Sequence, residues 1–80
     1  MMTITVKFFA SLGEQTGLTE TTIEADSAST VMDAWNTATG HQAMPANTLC
    51  AVNMTYAQTG DSVHDGDEIA FFPPVTGGGQ

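Results

Sequence analysis

The chain has 80 residues, with nine Asp or Glu against one Lys or Arg, a formal charge of −8 and a pI near 4.1. Nucleic-acid binding needs cations set against phosphates, so this balance excludes it; the length suits one domain with a modest core. No apolar run is long enough for a membrane span and no basic segment leads into an apolar one, so no membrane association and a cytoplasmic location are expected.

Thr3 to Phe8 alternates strictly. Ile4, Val6 and Phe8 fall on one side and Thr3, Thr5 and Lys7 on the other, the period of a half-buried strand. Phe9 and Ala10 break the alternation and end it. Ser11 to Gly17 is expected to hold a short helical turn, with Ser11 as N-cap and Gly17 as the stop; Gly13 weakens it. Thr19 to Glu24 is rich in β-branched residues and reads as a second strand, antiparallel to the first.

The main helix is expected over Val31 to Thr39. Ala28, Val31, Met32, Trp35 and Ala38 make an apolar stripe at helical spacing. Thr30 and Asp33 stand as a capping box with Asp in place of the usual Glu, and Gly40 is placed to stop the helix. Trp35 reads as a core anchor. His41 to Asn47, with Pro45, is loop. Leu49 to Asn53 is a third strand, a short edge strand follows around Tyr56, and Asp65-Gly66-Asp67 marks a turn. Glu68 to Phe72 alternates again as the last strand, with Ile69 and Phe71 on one face and Ala70 and Phe72 on the other.

This order predicts a two-layer α+β fold of the β-grasp plan, a mixed sheet of four to five strands with one main helix packed on one face. The first and last strands should pair in parallel at the centre. Parallel pairs need cover, so the helix near Trp35 has to lie over them. The expected division is a β-grasp domain over 1–72 and a flexible tail over 73–80.

Few residues invite chemistry inside that domain. Cys50 is a lone cysteine in an apolar run and reads as a small buried hydrophobe. His41 and His64 lack partners at ligand spacing, so no metal site is expected. Ser62, His64 and Asp65 are neighbours in sequence, which is not what makes a triad. Asp61, Asp65, Asp67 and Glu68 do not match a calcium loop and read as a solvated acidic turn.

The C-terminal segment is different. Pro73 and Pro74 cannot donate to a ladder, so the last strand must stop near Phe72. Both fix φ and favour an extended chain, and β-branched Val75 and Thr76 continue it. Gly77 to Gly79 carry no Cβ. Eight residues beyond Phe72 reach about 27 Å at most. A stiff root with a thin tip can thread a narrow channel, and a glycine leaves its carbonyl unhindered.

Three blocks resemble the small subunit of molybdopterin synthase: Val6-Lys7-Phe8-Phe9-Ala10, Ala51-Val52-Asn53, and Asp65-Gly66-Asp67-Glu68-Ile69-Ala70-Phe71-Phe72-Pro73-Pro74-Val75-Thr76-Gly77-Gly78. The last is highly specific. The resemblance implies a ubiquitin-like β-grasp fold and a sulfur-carrier role. It implies that Gly78, preceded by Gly77, is adenylated and then thiocarboxylated. ATP would be used by an E1-like adenylating enzyme, and a glycyl-adenylate would form transiently, with no permanently bound cofactor. A sulfur-relay protein would supply the sulfur. The tail would deliver it to a pterin precursor inside the large synthase subunit, in an assembly of two small and two large subunits. Phe72, Pro73, Pro74, Val75 and Thr76 become the expected partner-binding residues. The catalytic groups should come from the partners. A ubiquitin-like modifier linked to lysines through the same tail, or a carrier for thiamine or thiolated tRNA, are the alternatives.

Two departures stand out. Family members often carry a basic residue after the first strand, whereas Ser11-Leu12-Gly13-Glu14 has none. Gly79-Gln80 follow the reacting glycine, which needs a free α-carboxylate. Trimming, extra residues, an inactive relative or activation at Gln80 are the explanations that the sequence leaves open.

Overall fold

A computed structural model describes residues 2–74 of the chain. The strands are β1 (Thr3–Phe8), β2 (Glu20–Glu24), β3 (Leu49–Val52), β4 (Thr55–Ala57) and β5 (Glu68–Phe72). Between them lie a short helix α1 (Ser11–Thr16), a single 3₁₀ turn (Ala25–Ser27) and the main helix α2 (Val31–Thr39). The sheet order is β2-β1-β5-β3-β4. β1 and β5 pair in parallel at its centre, with Val6 opposite Ile69 and Phe8 opposite Phe71; the other neighbours are antiparallel. This is the expected β-grasp.

The alternation of β1 and β5 decides which side is core. Ile4, Val6, Phe8, Ile69 and Phe71 are buried against α2. There Trp35 meets Phe71 edge-on at 5.0 Å between ring centroids and Phe8 at 5.6 Å, the perpendicular arrangement that aromatic quadrupoles favour. The indole N–H, which cannot be left unpaired in a core, donates to the Gln42 carbonyl at 2.7 Å.

The start of α2 is fixed as expected. The Asp33 amide donates to the Thr30 hydroxyl at 3.2 Å, and the Thr30 amide donates back to the Asp33 carboxylate at 3.2 Å. Two amides of the same turn, Val31 and Met32, donate to the Asp61 and Thr59 carbonyls, both at 3.0 Å. The loop before β5 therefore finishes the cap. Gly40 ends the helix at φ +71, and Gly17 ends α1 at φ +78.

Four details differ from the sequence reading. β2 begins at Glu20 rather than Thr19. Ser11 lies inside α1, and Ala10 takes the cap position at φ +53, ψ −134 with no side-chain cap. That region of backbone space is close to glycine-only, and a residue held there stores roughly 1–3 kcal/mol. β3 ends one residue early, at Val52, because Asn53 starts a turn. In α2, Ala34 is fully buried while Met32 and Ala38 are only partly covered.

Candidate functional site

The face of the sheet turned away from α2 has no cover from the described residues. It divides into two halves. Over β2 and β1 it is polar, built from Glu20, Thr22 and Glu24 beside Thr3, Thr5 and Lys7. Over β5, β3 and β4 it is apolar apart from Glu68 at the start of β5. Ala70 and Ala51, paired across the ladder, form the floor of a shallow concavity of about 430 Å³. Phe72, Tyr56, Met54 and Phe9 stand around it.

Each wall residue has a local cause. Phe72 follows Phe71 in β5, so it must point away from the core. Tyr56 sits opposite Ala51, and its ring meets that of Phe72 at 5.9 Å. It is 73% exposed, and Phe9 is 48% exposed. Phe9 comes directly after Phe8 and cannot share its side; its amide donates to the Phe71 carbonyl at 2.9 Å, which holds its backbone beside β5. Met54 lies in the two-residue turn between β3 and β4. Asn53 and Met54 have φ of +52 and +69, the left-handed pair of a type I′ hairpin. Asn tolerates this conformation; a larger unbranched side chain pays about 1–2 kcal/mol for it.

At the seam between the halves, Lys7 Nζ lies 2.7 Å from Glu68 Oε2. The hydrogen bond and charge of Glu68 raise the Lys7 pKa above its ordinary value. The chain's one formal cation is thus paired within its own sheet rather than offered to a phosphate.

The tail follows the end of β5, the middle strand of the sheet. Phe72, opposite Leu49, is the last ladder residue of β5, and Pro73 and Pro74 follow outside any strand. Of the expected partner-binding residues, Phe72 is half-buried in the concavity, Pro73 is partly covered and Pro74 is exposed. Val75 and Thr76, and the expected reacting pair Gly77 and Gly78, lie outside the described residues, as does the rest of the expected tail beyond Pro74.

The other candidates are spent on structure. Cys50 is 4% exposed, its thiol donates to the Ala57 carbonyl at 3.2 Å, and burial raises its pKa. The acidic turn caps backbone. Asp65 accepts from the Thr3 amide at 3.1 Å, Asp61 from Gln58 at 2.9 Å, and Asp67 from His64 at 2.7 Å. His64 Nδ1 has Asp67 at 4.0 Å, and no hydrogen bond joins it to Ser62 among the described residues. No group of three or more His, Cys, Asp or Glu there is placed to hold a metal. No described helix is long and apolar enough to cross a membrane.

Sequence reasoning singled out Phe72 and the proline root. It missed Phe9, Met54 and Tyr56 as a set. The doubled Phe8-Phe9 was a signal, since two adjacent aromatics cannot both face one core.

Known proteins share this fold. The family model described as ThiS family matches residues 6–78. The molybdopterin synthase sulfur carrier subunit of Escherichia coli (strain K12) is 37% identical over 84 aligned positions, covering 94% of this chain and 99% of that one. The crystal structure of SAMP1 from Haloferax volcanii superposes with a TM-score of 0.77 at 28% identity, covering 95% of this chain and 99% of that one. A crystal structure of the H. volcanii small archaeal modifier protein 1 gives 0.74 at 26% identity over 94% and 100%.

Proposed function

The chain belongs to the ThiS family, and we propose that it is the sulfur carrier subunit of a molybdopterin synthase, working in the cytoplasm. The observation that carries this reading is the 37% identity to a subunit of that name over nearly the whole of both chains. The geometry supports it, because an apolar face and the root of a Gly-Gly tail lie side by side on the fold.

The division of labour follows from the chemistry. A carboxylate is a poor electrophile. An E1-like adenylating enzyme would join the Gly78 carboxylate to AMP and release pyrophosphate. Sulfide-level sulfur delivered by a relay protein would then displace AMP and leave a thiocarboxylate. The large synthase subunit would take the tail into its active site, the thiocarboxylate sulfur would bond to a carbon of the pterin precursor in place of an oxygen, and one water would hydrolyse the resulting thioester, leaving the sulfur on the pterin and returning Gly78 as a carboxylate. Two small and two large subunits would form the assembly. The open face of this chain serves recognition. Gly79-Gln80 must be removed before Gly78 can react.

Intact mass tests the reading. The chain is incubated with its adenylating enzyme, ATP and a sulfur donor, both at full length and ending at Gly78. A species ending at Gly78 with one oxygen replaced by sulfur is expected. Failure to form it under full activation contradicts the reading.

The similarity to a small archaeal modifier protein favours a second reading, in which the same activated tail is joined to lysines of other proteins. Gly-Gly remnants on substrate lysines, in place of the thiocarboxylate, would select it.

A further inference from the structure

Met54 is 95% exposed, more than any other large apolar side chain among the described residues. Its position is unfavourable twice over. The turn needs φ > 0 at its second residue, where glycine is the ordinary occupant, and Met54 sits there at φ +69. Its thioether side chain also stands in water. A hairpin that only had to turn would carry neither burden.

The turn is nevertheless rigidly tied. The Asn53 amide donates to the Glu68 carbonyl at 2.8 Å. The Glu68 amide donates to Asn53 Oδ1, and Asn53 Nδ2 donates to Asp67 Oδ1, both at 2.9 Å. Three bonds to the neighbouring strand and its approach fix where Met54 begins. That place is the rim of the concavity that also holds Phe72 and Tyr56.

We propose that Met54 is a specificity-determining anchor of the docking face, inserting into an apolar socket on the large synthase subunit. The inference rests on the sulfur-carrier reading. It is argued from reach: Gly78 is four residues past Pro74 and lies within about 14 Å of it. A protein that takes Gly78 into an active site must therefore lie against the end of β5 from which the tail departs. Phe72, next to Pro73, shares one concavity with Met54, whose turn stands beside Glu68 at the other end of β5, so a partner seated along the whole concavity covers both. Asp67 flanks the turn, and the chain carries −8, so the socket should be rimmed by Lys or Arg. An unbranched thioether with three rotatable bonds fits an apolar socket of irregular shape.

Calorimetric titration against the large subunit from the same organism tests this, with thermal unfolding alongside. Met54→Gly should melt about 5 °C higher, because the backbone strain is gone, yet bind about tenfold more weakly or worse. Met54→Leu should keep the wild-type melting temperature and bind within about threefold of wild type. Met54→Gly binding as tightly as wild type would overturn the role of Met54 while leaving the carrier reading in place. If the wild-type chain does not bind the large subunit, the carrier reading fails, and the socket fails with it.

Discussion

The two faces of the sheet are made by the same alternating strands and meet opposite fates. On one, Phe8, Phe71 and Trp35 close a packed aromatic cluster under α2. On the other, Phe72 and Tyr56 make an aromatic pair with Phe9 and Met54 beside it and nothing from the described residues above. The first is a finished core. The second has the composition of half a core, and monomers seldom leave such a patch contiguous unless another molecule completes it. Stability should therefore be concentrated on one face and partner affinity on the other, and substitutions can separate them.

The largest effect should come from the covered face. Trp35→Ala removes the ring that Phe8 and Phe71 pack on and leaves the core with a void, at a cost of about 3–5 kcal/mol. In a domain of this size that is a large part of the total, and chemical denaturation should show a sharply lower midpoint. Tyr56→Ser is the matched change on the open face. It should alter stability by no more than about 0.5 kcal/mol and weaken binding to the large subunit about tenfold. Equal losses of stability from both would break the contrast. Thr30→Ala, which removes the cap of the helix covering the core, should cost about 1 kcal/mol and leave affinity unchanged.

The smallest effect concerns the seam. Folding raises the Lys7 pKa through Glu68, so the folded chain holds that proton more tightly than the unfolded one. The contribution is complete below the unfolded value of 10.5 and is lost as pH rises through the folded value above it. The stability difference between wild type and Lys7→Met should accordingly be flat from neutral to mildly alkaline pH and shrink only above that value. Both side chains of the pair are partly exposed, so the difference will be small.

Much of this was legible in the sequence because it depends on local period. The alternation of β1 and β5 fixed their inward residues, and Thr30, Asp33 and Gly40 marked the ends of α2. The parallel central pair followed from the order of elements. The proline pair gave the end of β5. What escaped depends on which strands become neighbours. Tyr56 belongs to a three-residue edge strand, and only its pairing with Ala51 carries it to Phe72. Asn53 looked like a strand end, yet its side chain joins the hairpin to β5 across 15 residues. The cap of α1 was misplaced because Ala10, a residue with no turn signal, occupies a backbone region normally left to glycine.

The central claim is that the domain recognises and the tail reacts. Deleting Gly77 to Gln80 tests it most directly, with thermal unfolding and sulfur transfer to the pterin precursor measured on the same preparation. The account predicts an unchanged cooperative transition and no transfer. Loss of cooperative unfolding, or transfer at the wild-type rate, would contradict it.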